Sequence, residues 1–177
     1  VLGFGGAGGN AARFAADAGA HVLLVDAAPF GHEGGNTRYS AQHVAMATDY
    51  AKINKYFKRL AAPFQIPEKM MDVYTDGIYH MTDMFKEHFG IDAFVWSRDV
   101  KPGDILDEKE HMAEYPEYDG SEAFDFALVH NRDFDAEFWK TIRKTVLDRK
   151  DQIDVWLNSR TSHLLQDPET GAVVGAV

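Results

Sequence analysis

The sequence predicts an α/β fold: a Rossmann-like domain with a parallel sheet, a helical insertion and a C-terminal β-hairpin, the domain itself being incomplete. Three observations support this prediction. A glycine-rich turn, Gly3–Gly8, joins a short apolar segment to an alanine-rich stretch, and a second apolar run ends at Asp26. Strand-like segments then return after about 100 mostly helix-favouring residues. The predicted divisions are 1–45 for the first part of the domain, 46–130 for the insertion and 131–177 for the return segment.

The first 26 residues follow the pattern of a βαβ unit. Val1-Leu2 is predicted to be the end of a buried strand whose start is missing. Residues 10–18 favour a helix, which Gly19 is placed to end, and His21–Val25 is an apolar run of strand length. Strand, tight turn, helix and strand in this order predict a pair of parallel strands.

The insertion is predicted to be mostly helical, after a polar loop at 27–43. Thr48 is placed to cap one helix, and Pro67 to occupy the first turn of a longer helix that Gly90 ends. Its methionines are interpreted as core residues, with a channel or partner groove as the alternative. They are Met70, Met71, Met81 and Met84.

Strand patterns reappear on both sides of an acidic stretch, 104–125, which is interpreted as a solvated loop. Asp133 is placed to cap a helix that continues to about residue 149. The two hairpin strands are joined by Asp167–Gly171, which has glycine where a positive φ is needed. The predicted strands are 93–96, 126–129, 153–157, 163–165 and 172–177.

Composition excludes several classes of site. The formal net charge of −10 disfavours nucleic acid and anionic membrane surfaces as partners, and no apolar run reaches the roughly 20 residues of a membrane span. The absence of cysteine excludes disulfides, thiolate nucleophiles and cysteine-based metal sites. The eight histidines lack ligand spacing, so no metal site is predicted. The compartment stays open, with the cytoplasm favoured.

The Gly3–Gly8 segment has the G-x-G-x-x-G spacing of a dinucleotide site. Gly3 permits the tight turn, Gly5 leaves room for a pyrophosphate against the backbone, and Gly8 lets the helix approach the strand. The helix N-terminus then offers N–H groups to phosphates. Asp26 can accept hydrogen bonds from both ribose hydroxyls and would repel a 2′-phosphate, which disfavours NADP. An ordinary glycine-rich turn is the alternative.

A second glycine-rich loop, Gly34–Ser40, follows where a nicotinamide-binding Rossmann domain would continue with further βα units. Its bare backbone N–H groups and short polar side chains can bond the polar edge or the phosphates of a flavin. An Asx-type surface loop is an equally weighted alternative on these residues alone. His43, directly after this loop, is interpreted as structural, with a place near the active site as the alternative.

Together, Gly3–Gly8, Asp26 and Gly34–Ser40 resemble the FAD-binding signature of the fumarate reductase/succinate dehydrogenase flavoprotein family. Its soluble branch, which includes flavocytochrome-type fumarate reductases, urocanate reductases and 3-ketosteroid dehydrogenases, is the more similar one. The predicted helix at 134–149, the predicted strand at 153–157 and the segment Thr161–Val177 resemble that family's return to its FAD domain after a variable insertion. The likeness therefore covers both ends of the chain but not residues 45–130.

The resemblance implies an FAD-dependent oxidoreductase that transfers hydride at a carbon–carbon bond beside a carbonyl or carboxylate. The substrate would be a small molecule such as a carboxylate or an enone, and the remainder of a parent chain or an electron-donor protein would be a partner. FAD would be non-covalent, because Asn36 stands where membrane-complex relatives carry the flavin-linked histidine. Substrate-binding and proton-donating residues would fall after residue 177. The implied cofactor contacts are Gly3, Gly5, Gly6, Ala7, Gly8, Asp26, Ala27, Gly34, Gly35, Asn36, Thr37, Ser40, Ala41 and Thr161.

Two departures from the family pattern concern the same sites. The family often has two glycines shortly after the serine, whereas this chain has Ala41-Gln42-His43, and its acid at position 26 is more often glutamate. Two alternatives to an FAD-dependent enzyme remain at this point. They are an NAD-dependent Rossmann dehydrogenase, and a non-catalytic fragment of a longer chain.

Overall fold

The computed structural model describes residues 1–101, 113–129 and 136–177. They form two compact units, one of Val1–Ala41 with His130–Val177 and the other of Gln42–Val129. None of the described helices is both long enough and apolar enough to cross a membrane.

The first unit is built on parallel strands. Strand β1, Val22–Val25, pairs in parallel with β5, Ile153–Trp156, with Val22 opposite Ile153. Leu2 forms a parallel bridge with Val25, so β1 lies between the start of the chain and the return segment. The predicted α/β fold with parallel strands is confirmed.

Two helices pack together in this unit. Helix α1, Gly6–Asp17, and helix α7, Glu137–Leu147, bury Ala12, Ala16, Ile142 and Val146 almost completely. The predicted start of α1 at residue 10 is wrong, because the glycine-rich turn itself supplies the first helical turn. The capping residue expected for α7, Asp133, lies outside the described residues.

The expected polar loop at 27–43 contains regular structure. Residues Gly35–Tyr39 form a short helix, α2, in which the N–H of Ser40 donates to the carbonyl of Asn36 at 2.8 Å. Strand β2 begins at His43 and ends at Ala47. The loop prediction is wrong here because glycine and asparagine have low helix propensity, which local backbone hydrogen bonds override.

The second unit combines helices with an antiparallel sheet, so the insertion is less purely helical than predicted. Strand β4, Phe124–Leu128, lies between β2 and β3, Phe94–Val95, and pairs antiparallel with both. A single 3₁₀ turn, Ser121–Ala123, precedes β4 within the stretch expected to be a loop. The helices are α3, Tyr50–Leu60; α4, Glu68–Tyr79; α5, Met81–Phe89; and α6, Trp96–Asp99.

Two expectations about these helices need correction. The N-cap of α3 is Asp49, whose carboxylate accepts from the N–H of Lys52 at 3.0 Å, and Thr48 is not the cap. The single helix expected up to Gly90 is divided into α4 and α5 at His80. The predicted end at Gly90 is confirmed, since this residue adopts φ 66° as a left-handed C-cap.

The methionines do not all belong to the core. Met71 is buried, but Met70 is 62% exposed. Both line an apolar groove of about 400 Å³ between α3 and α4, together with Phe57 and Tyr74. For part of this set of methionines, the alternative interpretation as residues that line a groove therefore fits the structure better than a place in the core.

The chain ends in the predicted β-hairpin. Strand β6, Leu164–Gln166, pairs antiparallel with β7, Val173–Ala176. In the turn, Asp167 accepts from the N–H groups of Glu169 and Thr170, and Gly171 has φ 70°. The aspartate and glycine that predicted the turn from the sequence are thus the residues that form it.

Candidate cofactor-binding site

Two glycines of the first loop are required by the fold. Gly3 has φ 92°, and its N–H donates to the carbonyl of Val25 at 2.7 Å, which attaches the loop to β1. A Cβ on Gly8 would lie 1.8 Å from the carbonyl oxygen of Gly3. Any side chain at position 8 would therefore push α1 away from the loop that precedes it.

Gly5 differs from both, because neither conformation nor packing requires glycine there. Its φ of −106° and ψ of −162° are open to any residue. A Cβ on Gly5 would make an ordinary contact of 3.4 Å with the carbonyl oxygen of Gly34. Gly5 is the N-cap of α1 and gives it no side-chain cap. Bare backbone at a helix N-terminus, without an internal reason for it, fits the approach of a pyrophosphate.

The second glycine loop lies directly against the first. Gly5 and Gly34 form a parallel bridge, and the N–H of Gly6 donates to Oγ1 of Thr37 at 3.1 Å. Gly34 and Gly35 have φ values of 125° and 51°, which favour glycine. Gly34 is buried, whereas Gly35, Asn36 and Ala7 are exposed. Two motifs 31 residues apart in sequence thus form one continuous backbone surface.

Asp26, at the end of β1, is tied to the same surface. Its carboxylate accepts from the N–H of Phe4 at 2.6 Å and from the N–H of Ala28 at 2.7 Å. Each carboxylate oxygen keeps a second lone pair, so acceptance from ribose hydroxyls remains chemically open. Asp26 therefore has a structural role that the sequence did not reveal, alongside the predicted ribose contact. Ala27, which follows it, is exposed.

The remaining predicted contacts lie in the same unit. The N–H of Ser159 donates to the carbonyl of Asp26 at 2.9 Å, and Thr161 follows two residues later, within about 7 Å of chain reach. Oγ of Ser40 donates to the carbonyl of Thr37 at 3.2 Å. Ser40 and Ala41 are both exposed at the end of α2.

The departure from the family pattern at position 42 has a visible backbone consequence. Gln42 has φ 58°, a left-handed conformation that disfavours residues with a Cβ, and its side chain is buried. Glycine would adopt this conformation without strain.

Sequence reasoning missed four side chains that hold the two loops. Phe4 is buried and meets the ring of Trp139 edge to face, with centroids 5.1 Å apart. Arg143 Nε donates to Oε1 of Glu33 at 2.6 Å. Glu33 and Arg143 lie 110 residues apart, so nothing local in the sequence indicates their contact.

Glu33 is a buried acid, with 1% of its surface exposed. Burial opposes its ionisation, yet the hydrogen bond and charge of Arg143, together with backbone N–H donors, lower the pKa of Glu33. The carboxylate is therefore charged at neutral pH. Its second oxygen, Oε2, is buried without a hydrogen-bond partner among the described residues.

Other candidate sites are weaker. Across residues 1–101, 113–129 and 136–177, no group of three or more His, Asp or Glu side chains is placed to hold a metal. His43 lies on β2, and its ring packs near those of Trp96 and Phe126, at 6.2 and 5.8 Å between centroids. These contacts agree with its interpretation as a structural residue.

Comparison with known proteins finds a similar fold. No family model matches the chain, and no curated protein matches it. Among solved structures, the chain resembles a 3-ketosteroid delta1-dehydrogenase from Sterolibacterium denitrificans in complex with 1,4-androstadiene-3,17-dione, with a TM-score of 0.74 and 14% identity. The match covers 99% of this chain and 43% of that one, so the chain spans less than half of the dehydrogenase.

Proposed function

We propose that this chain is the FAD-binding part of a flavin-dependent oxidoreductase. The observation that carries the proposal is the meeting of two glycine loops at the start of α1, through the Gly5–Gly34 bridge and the hydrogen bond from Gly6 to Thr37. A glycine turn needs no second loop to stabilise it. A dinucleotide that carries a flavin needs backbone surface for both its phosphates and its ring.

The two loops divide the proposed contacts with FAD. Gly3–Gly8 would hold the pyrophosphate, and Asp26 would accept from the adenosine ribose, with Thr161 beside the adenine. Gly34–Thr37, Ser40 and Ala41 would face the flavin half. No basic side chain is needed, since backbone N–H groups and the helix dipole favour the phosphates in this acidic chain.

The reaction that we propose is hydride transfer at a carbon–carbon bond next to an electron-withdrawing group. Bound flavin would supply the hydride chemistry. The chain's own residues bind the cofactor and orient it, and we assign none of its described residues to proton transfer. Between the two substrate classes expected, the enone is favoured, because the dehydrogenase of similar fold holds a dienone steroid.

NAD is the rival cofactor, and the topology disfavours it. After β1, a nicotinamide-binding Rossmann domain continues with a further parallel strand. Here the next strand, β2, pairs antiparallel with β4 in another sheet. The parallel neighbour of β1 on the side away from Leu2 is instead β5, from the return segment.

A competition titration tests the choice of cofactor. FAD, FMN, ADP and NAD are added separately to the purified chain, and binding is followed by calorimetry. We expect FAD to bind most tightly and ADP to compete with it at the first loop. Gly5→Val should abolish FAD binding, because its side chain occupies the phosphate position. NAD binding tighter than FAD would overturn the proposal in favour of the rival.

A further inference from the structure

Helix α7 contacts both glycine loops through side chains one turn apart. The Trp139 ring packs against Phe4 of the first loop. The same indole lies so close to the second loop that a Cβ on Gly34 would be 2.7 Å from its Cε2 atom. One rigid helix therefore forms a common support for two loops that are distant in sequence.

Arg143, four residues after Trp139, adds a directional contact to the second loop. Its Nε donates to the buried carboxylate of Glu33, the residue immediately before Gly34. The guanidinium also lies over the ring of Phe30, 5.5 Å from its centroid. The Glu33 carbonyl accepts from Arg38 at 3.2 Å, so both the backbone and the side chain of Glu33 are held.

The second loop needs this support because its own residues do little to restrict its backbone conformation. Gly34 and Gly35 adopt positive φ values and lack side chains that restrict the backbone. The hydrogen bond from the planar guanidinium of Arg143 to the buried Glu33 carboxylate, by contrast, fixes direction as well as distance. Removing Arg143 leaves the Glu33 carboxylate buried and without its partner, which is strongly unfavourable.

The geometry points to Glu33 and Arg143 as positioning residues for FAD: they hold the Gly34–Thr37 loop against Gly5 and Gly6 without contacting the cofactor themselves. The inference rests on the proposed function for its ligand, but the fixing of the loop is a property of the chain alone. Because Arg143 belongs to the return segment, that segment would then contribute to the site through α7 as well as pairing with β1.

The control is a second ion pair, formed between Asp17 at the end of α1 and Arg149 just after α7. Arg149 Nε donates to Asp17 Oδ1 at 2.6 Å, which ties the end of α7 to the end of α1. Arg149 is partly exposed, as Arg143 is, at 23% and 29% of the side chain. The Asp17–Arg149 pair lies at the opposite end of α1 from the glycine loops, and its carboxylate is more exposed than that of Glu33. Arg149→Met therefore removes an arginine–carboxylate pair of the same unit without releasing the second loop.

The first readout is FAD affinity of the 177-residue chain. We expect Arg143→Met and Glu33→Ala to raise the dissociation constant about tenfold or more, and Arg149→Met to leave it within about twofold. Arg143→Lys keeps the charge but loses the planar fork, so it should restore affinity only in part. Equal loss in Arg143→Met and Arg149→Met would overturn the inference, as would unchanged affinity in both.

The second readout is hydrogen exchange of the peptide covering residues 34–39, measured without FAD. Faster exchange there in Arg143→Met than in Arg149→Met is the expected result, and equal exchange in the two variants overturns the fixing of the loop. A wild-type chain that binds no FAD would remove the proposed function. The exchange comparison would still decide whether Glu33 and Arg143 fix the loop.

Discussion

Gly5 and Gly8 of the first loop are subject to different steric constraints. A Cβ at position 8 would collide with the Gly3 carbonyl at 1.8 Å, whereas one at position 5 would touch Gly34 at 3.4 Å. We expect Gly8→Ala to lower the free energy of unfolding by about 2 kcal/mol or more. Gly5→Ala should change it little and instead weaken FAD binding. Urea unfolding of both variants without cofactor checks the difference, and equal destabilisation would contradict it.

Asp26 provides a second test at this scale. Asp26→Ala leaves the N–H groups of Phe4 and Ala28 without their acceptor, so it should cost about 1–3 kcal/mol of stability even without FAD. It should also weaken FAD binding through the lost ribose contact. Thermal unfolding of the apo variant isolates the structural part. A variant that keeps wild-type stability would show that the carboxylate does not hold the loop.

The sequence identified the residues of the site more readily than their partners. Gly3, Gly5 and Gly8 are predictable because each fits a known steric requirement at a fixed spacing. The Glu33–Arg143 contact is not, since nothing local to either residue specifies a partner 110 residues away. The double role of Asp26 is hidden for the same reason, as it depends on how the loop folds back over β1.

At the scale of single elements, the assignment of Asp49 and not Thr48 as the N-cap of α3 can be tested by mutation. Asp49 accepts from the N–H of Lys52, while the Thr48 hydroxyl donates to the carbonyl of Ala123 at a long 3.4 Å. Asp49→Ala should lower the free energy of unfolding by about 1 kcal/mol, and Thr48→Ala by less. Circular dichroism during urea unfolding measures both, and a larger loss from Thr48→Ala would restore the original assignment.

The contact between α7 and the second loop predicts a pH dependence. The pKa of Glu33 is lowered in the folded chain, so its ion pair stabilises the fold above the ordinary carboxyl value of 4.5. That stabilisation should decline as pH falls below this value and vanish once pH passes the lowered pKa. At pH 7, Glu33→Ala should be less stable than wild type by about 1.5–3 kcal/mol, the range for a lost hydrogen bond between charged groups.

The measurement is the stability difference between wild type and Glu33→Ala at several pH values. We expect it to narrow towards acid pH. A difference that stays constant down to pH values well below 4.5 would mean that Glu33 contributes by packing and not by charge.

Element boundaries were predictable where one residue type determines them. Gly90 and Gly171 stand where a positive φ ends a helix or closes a turn. The break between α4 and α5 at His80 was not predictable, because its apolar spacing continues across the break. Strand β2 was missed because its first residues complete a polar loop and become a strand only by pairing with β4.

For the whole molecule, local patterns predicted the kinds of structure but not all of their pairings. The parallel pair of β1 and β5 follows from the βαβ pattern at one end and an apolar strand at the other. The antiparallel sheet of the second unit joins segments before and after the acidic stretch, and short apolar runs do not specify such partners. The likeness to a dehydrogenase at 14% identity likewise lies in the fold and not in shared sequence.

Absorption during an FAD titration, with wild type and Gly5→Val side by side, tests whether the two loops form a flavin site. We predict saturable binding by wild type, with protein-bound flavin bands near about 370 and 450 nm. Gly5→Val should show no saturable FAD binding, because its side chain occupies the phosphate position. A wild-type chain that stays colourless at saturating FAD, or a Gly5→Val variant that binds FAD equally well, would contradict the assignment.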